Sequence, residues 1–211
     1  MQRRRFIQAV TILIAGLISA CGKETRLSAI PPGKTVLAFG DSVTFGTGAS
    51  AGEDWPSLLA QASGWRVINA GVAGDTAEAA TGRIQALLDE HQPALVILEL
   101  GGNDFLRRRP QKAVKDDLRR IIQTIRQRGP QVVLVAVPEL SLLSVVARKP
   151  SDAAIYGELA KEEKIPLISD VFADILARPE LCADQIHPNA KGYQQMASGI
   201  SARLKKLGLA S

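Results

Sequence analysis

Ser42, Asp184 and His187 are the residues of this 211-residue chain whose types and spacing could do chemistry together. A serine hydroxyl is a weak nucleophile until a base takes its proton, and imidazole is the side chain tuned for that near neutral pH. The imidazole needs a carboxylate to orient it through its other ring nitrogen. Asp184 stands three positions before His187, so one turn could bring both to a common rim. An attacked carbonyl becomes an oxyanion that needs fixed donors, and the Ser42 N–H, the Gly74 N–H and the Asn103 side-chain amide are candidates. Glycine at position 74 lets the backbone approach a ligand closely. These are the parts of acyl transfer. Each residue also has a plainer reading. Ser42 could cap a short turn, Asn103-Asp104 could be turn chemistry after a strand, and Asp184 could cap a helix begun near His187. Asp41 and Asp104 read as residues that fix their loops by hydrogen bonds, and His91 as a surface residue ending a helix.

These residues must be positioned by the elements between them. Thr35 to Phe39 is a β-rich run stopped by Gly40, and Arg66 to Ala70 is a second run ending at Gly71. Ala94 to Leu100 is a buried-type strand closed by Gly101-Gly102, and Val132 to Val137 a fourth stopped by Pro138. Pro166 to Ser169 makes a short fifth. Between them lie helical stretches at Trp55 to Ala62, Ala77 to Leu88, Val114 to Ile125 and Asp152 to Glu163, with a last helix from Asn189 to about Leu207. The third ends at Gly129-Pro130, and the second at His91-Gln92-Pro93. Strand and helix alternate about five times, and several strands are apolar throughout. That pattern predicts an α/β fold of three layers, a parallel sheet with helices on both faces. Ligands of such sheets bind beyond the carboxyl ends of the strands. Gly40-Asp41-Ser42, Asn69 to Thr76, Gly101 to Asp104 and Asp184 to Pro188 all fall there.

Composition removes several other functions. The chain has 26 basic and 21 acidic residues, but Arg3, Arg4 and Arg5 supply three of the basic ones, and without them 23 face 21. A nucleic-acid binder would keep a basic face, and 4% aromatic residues leave few stacking platforms. Two cysteines cannot frame a disulfide scaffold or a cysteine-rich zinc site. Two histidines so far apart give no metal cluster. Gly40 to Gly48 lacks the Lys-Ser/Thr of a phosphate loop, and Thr44 breaks the G-x-S-x-G pattern around Ser42.

Gly40-Asp41-Ser42, Gly74, Gly101-Gly102-Asn103-Asp104 and Asp184-x-x-His187-Pro188, in that order and each behind a predicted strand, resemble the four blocks of the SGNH (GDSL-type) hydrolases. The branch is similar to bacterial thioesterases, lysophospholipases and arylesterases, and the similarity covers residues 34 to about 207. It implies a flavodoxin-like five-stranded sheet of order 2-1-3-4-5. Ser42 would be the nucleophile, His187 the base and Asp184 its orienter, with Gly74 and Asn103 completing the oxyanion site and no metal or organic cofactor. The expected activity is hydrolysis of carboxylic esters, with thioesters and lysophospholipids among the candidate substrates. A carbohydrate O-acetylesterase and a non-catalytic surface-binding lipoprotein on the same scaffold remain alternatives.

Specificity is less legible. Leu140, Leu142, Leu143, Val145 and Val146 could line an apolar groove for an acyl chain, or simply pack a helix on the sheet. Arg107-Arg108-Arg109 reads as a solvated charge run, with a phosphate headgroup as the other reading. The resemblance suggests that Asp75 to Ala80 moves on substrate binding.

The N-terminus reads as a leader. Met1 to Arg5 is basic, and Phe6 to Ala20 is apolar apart from Gln8, Thr11 and Ser19 but shorter than the about 20 residues of a spanning helix, which suits a signal peptide over residues 1–20. Ile18-Ser19-Ala20-Cys21 resembles a lipobox, with Cys21 lipidated. The expectation is an exported protein on a membrane through that anchor, and Gly22 after the cysteine favours the outer membrane by the same resemblance. Residues 21–33 read as a tether, and Cys182 as a small buried residue or an unpaired thiol.

Overall fold

The computed structural model describes residues 27–139 and 150–210. Its element order is β1 (Thr35–Gly40), α1 (Ser42–Phe45), α2 (Trp55–Ser63), β2 (Arg66–Gly71), α3 (Ala77–Thr81), α4 (Ile84–His91) and β3 (Leu95–Glu99). There follow α5 (Gly102–Leu106), α6 (Gln111–Gln127), β4 (Gln131–Val135), α7 (Ala154–Glu163), β5 (Leu167–Ile168), α8 (Val171–Leu176), a 3-10 turn at Pro179–Leu181 and α9 (Ala190–Lys206). The five strands form one parallel sheet in the order β2-β1-β3-β4-β5.

The central strands are buried on both faces, which is why they read as unbroken apolar runs. Val36 to Phe39, Leu95 to Leu98 and Val133 to Val135 have no exposed surface. Helix α6 shows how the covering layer is encoded. Val114, Leu118, Ile121, Ile122 and Ile125 recur at helical spacing and are all buried, with Asp117 in the same stripe. Helix α6 packs against α3, α4 and α7, while α9 packs against α2 and α8. These two groups cover the two faces of the sheet.

Several expectations change. The helix predicted from Ala77 to Leu88 is two helices, because the chain bends at Gly82-Arg83. Arg83 turns its guanidinium back to the Asp75 carboxylate and to the carbonyls of Ala70 and Gly40, a set of bonds a straight helix would forfeit. Strand β5 has two residues rather than four. The segment expected to be a tether is docked from Leu27 onward. Ser28 and Gln131 exchange two hydrogen bonds, Ile30 is buried, and its carbonyl accepts the Trp65 indole N–H. An apolar side chain at position 30 is worth more in the core than in water. Residues 1–20, Cys21 and the apolar run at Leu140, Leu142, Leu143, Val145 and Val146 lie outside the described residues.

Candidate active site

The turn after β1 is built by its neighbours rather than by its own length, since four residues make a helix too short to persist alone. Asp41 caps it, its Oδ1 accepting the Val43 N–H at 3.0 Å. The capping role considered for Ser42 thus falls to Asp41, which leaves the Ser42 hydroxyl free at the first helical position. Gly40 lets the turn fold back on the strand ends. A Cβ there would stand 2.1 Å from the Thr44 hydroxyl oxygen and 2.2 Å from the Glu99 carbonyl.

Opposite it, the segment before α9 carries Asp184 and His187. Ala183 N–H donates to the His187 carbonyl, and Cys182 bridges Pro188, closing a tight loop. Asp184 Oδ1 accepts the N–H groups of Ile186 and His187, both at 2.8 Å. Its Oδ2 lies 2.7 Å from His187 Nδ1, and His187 Nε2 lies 3.0 Å from Ser42 Oγ. Burial alone would raise the Asp184 carboxyl, but the bonds from the His187 ring and the two N–H groups hold it below the usual carboxylate range. The carboxylate is half-exposed while the imidazole is mostly covered.

Of the three candidate oxyanion donors, Ser42 and Asn103 line one cleft, and the loop that holds Gly74 is tied to Asn103 through the next residue, Asp75. The Ser42 N–H opens a helix, where no intrahelical acceptor exists for it. Gly74 has φ +79°, a conformation costly for other residues, and its N–H bonds to no described residue. The Asn103 amide donates to the Asp75 carbonyl at 2.9 Å and has a looser contact of 3.5 Å with Asp41 Oδ2. It therefore ties the loop after β2 to the loop after β3. Asp41, Ser42, Val43, Gly102, Asn103, Leu106, Phe172, Ile186 and His187 line a cleft with room for about one water, ≈ 10 Å³. The large hydrophobics exposed among the described residues are Phe45, Val72 and Leu106, each two or three positions from a candidate donor.

A larger cavity, ≈ 460 Å³, opens at the other edge of the sheet between Leu27, Gln131 and Lys164. No hydroxyl, thiol, imidazole or carboxylate side chain lines it, so its size does not make it the reactive site.

Residues that sequence reasoning passed over hold the rim together. Arg83 spans the ends of β1 and β2 and stacks on Phe39, 4.0 Å from the ring centroid. Arg109 is no solvated residue. It pairs with the buried carboxylates of Asp104 and Asp117, and Asp104 also accepts the Ala77 N–H at 2.9 Å. Arg107 donates to the Gly74 carbonyl, and only Arg108 of the three stands free in solvent. His91 ends α4, as expected. Cys182 is half-buried rather than fully buried, with its Sγ near the carbonyls of Ile175 and Arg178, and this partial burial together with the charges of Asp184 and Glu180 pushes its thiol up. Among the described residues, no group of three or more His, Cys, Asp and Glu is placed to hold a metal ion.

A hydroxyl, an imidazole and a carboxylate in contact, with the Asn103 amide in the same cleft, make a site equipped for acyl transfer. The family model for the GDSL-like lipase/acylhydrolase family matches residues 38–195. The chain belongs to that family, and it is an ester-bond hydrolase. It is 34% identical over 178 residues to thioesterase 1/protease 1/lysophospholipase L1 of Escherichia coli K12, covering 82% of this chain and 84% of the relative. It is 30% identical over 200 residues to esterase TesA of Pseudomonas aeruginosa, covering 90% and 98%. The solved structure of TesA superposes with a TM-score of 0.73 at 30% identity, covering 82% of this chain and 99% of that one. Esterase EstA of Pseudoalteromonas, inhibited by monoethylphosphonate, gives 0.71 at 25% identity, covering 82% and 97%.

Proposed function

We propose that the enzyme cleaves carboxylic esters and thioesters of apolar acyl groups, lysophospholipids among them, through an acyl-enzyme on Ser42. The observation that carries this reading is the unbroken run of contacts from Asp184 through His187 to Ser42. His187 Nε2 takes the hydroxyl proton as Ser42 Oγ attacks the carbonyl, and Asp184 steadies the imidazolium that results. The oxyanion is held by the N–H groups of Ser42 and Gly74 and by the amide of Asn103. His187 then gives its proton to the leaving group, and water releases the acyl group by the same route. The cleft itself accommodates little beyond the reacting carbonyl, so a longer acyl chain lies out across the apolar rim of Phe45, Val72 and Leu106.

The small cleft also favours a second reading, an esterase that removes acetyl groups from carbohydrate. Turnover of p-nitrophenyl esters from acetyl to dodecanoyl, set against an acetylated glycan, separates the two. The first reading expects kcat/KM to rise beyond acetyl, and release of acetate from glycan alone would replace it. In both, Ser42→Ala lowers kcat by at least about 10⁴-fold with the fold intact, and persisting turnover would reject the mechanism. We further propose that residues 1–20 are a signal peptide and that lipidated Cys21 holds the enzyme on a membrane. Stable anchoring takes two acyl chains or more. Cys21→Ser would then release it to the soluble fraction, and continued membrane association would contradict the anchor.

A further inference from the structure

Glu99 ends a strand of otherwise apolar residues, wholly buried, directly beneath the turn that carries Ser42. Its Oε2 accepts the Thr44 hydroxyl at 2.7 Å, and Thr44 is itself fully buried. Its Oε1 has no hydrogen-bond partner, and no cation pairs with it among the described residues. A buried acid with one oxygen idle is costly to keep, so its retention at the edge of the site calls for a reason. The turn above it supplies one. Helix α1 is a single turn, and Ser42 and Thr44 share it. The Asp41 cap closes the turn on itself, while the Thr44–Glu99 bond ties one of its side chains to the end of β3.

We propose that Glu99 is a positioning residue, which acts as a neutral carboxyl bound to Thr44 to lock the Ser42 hydroxyl in line with His187. This inference rests on the assignment of Ser42 as nucleophile. A displacement of about 1 Å at a reacting atom can cost 10² in rate, and the Thr44 bond is what resists a shift of this turn along the sheet edge. Burial, and then the charge of Asp41, push the Glu99 carboxyl well above its usual range. Tyr156 on α7 and Tyr193 on α9 are the other ionisable groups that feel its charge, and neither is a cation. The bonds from Thr44 favour the ionised form, but burial and the charge of Asp41 outweigh them.

The test begins with fluorophosphonate labelling of the wild-type enzyme. If that fails, the nucleophile assignment falls, independently of Glu99. In labelled-competent enzyme, Glu99→Leu should lower kcat about 10²-fold and slow labelling in parallel, with KM within about threefold. Thr44→Val, which removes only the hydroxyl, should slow both by at least about tenfold and decides the matter if Glu99→Leu does not fold. Combining the two should add little to the larger effect. Glu99→Gln should keep kcat within about fivefold. Its Tm relative to wild type should climb as pH rises above the usual carboxylate range, because a carboxyl raised above its unfolded value loses stability as pH rises and an amide does not. Normal kcat in Thr44→Val would overturn the proposal. So would a Glu99→Gln enzyme as slow as Glu99→Leu, or a Tm difference that falls with pH, since either result means that the carboxylate works ionised.

Discussion

Asp104 and Asp117 meet a guanidinium, whereas Asp41 and Glu99, buried as deeply at the same edge of the sheet, meet none. The first pair holds the loop after β3 against α6 and α3 through Arg109. The second holds the turn of Ser42 through a backbone cap and a neutral hydrogen bond. A cation beside Asp41, whose charge His187 feels, would oppose the imidazolium of the proposed mechanism. Asp41 and Glu99 are thus held without Lys or Arg, and Arg83 and Arg109 fix the neighbouring loops through Asp75, Asp104 and Asp117.

The largest effect should come from the cation-held side. Arg109→Leu leaves Asp104 with the Ala77 N–H and Asp117 with Arg120 but takes away the guanidinium that neutralises both, and should cost about 3–5 kcal/mol, a fall in Tm on the order of 10 °C. A loss under about 1 kcal/mol in chemical denaturation would mean that water replaces the guanidinium there. Next comes Asp41, whose carboxyl is pushed up to about 6, first by burial, with the Val43 N–H and His187 pulling the other way. The folded state binds this proton more tightly than the unfolded chain, so wild-type stability is favoured below about pH 4 and declines as pH rises through about 6. Asn can cap the same helix without titrating. Asp41→Asn should therefore gain on wild type between pH 4 and pH 7, by on the order of 2–3 kcal/mol. A constant difference across that range would contradict the uncompensated burial of Asp41. The smallest effect belongs to Arg108, exposed beside Arg109, where Arg108→Ala should change unfolding free energy by less than about 0.5 kcal/mol.

How far this division could be read beforehand depends on what each residue announces. Ser42 and Asn103 follow the ends of neighbouring parallel strands, so their meeting was legible, whereas Asp184 and His187 come only after α8 and a 3-10 turn, and the resemblance rather than the strand pattern brought them to the same rim. Strand order was implied by resemblance alone, because alternation of elements does not choose among orders. The bend at Gly82-Arg83 was missed because Ala80, Ile84 and Leu88 keep helical spacing across it, and spacing does not register a guanidinium that prefers three acceptors on the sheet. Arg107-Arg108-Arg109 looked uniform, yet the acid that buries Arg109 lies eight positions on, at Asp117, inside an otherwise apolar stripe. Glu99 did carry a signal, one acid at the end of a wholly apolar strand, although nothing in the order of residues names Thr44 as its partner.

The assignment of Ser42 is tested most directly by the mass of the protein after exposure to a fluorophosphonate, followed by peptide mapping. One phosphonyl group on Ser42, absent from Ser42→Ala and formed at least about 10²-fold more slowly in His187→Ala, is the expected result. An unmodified protein, or an adduct on any other residue, would contradict it.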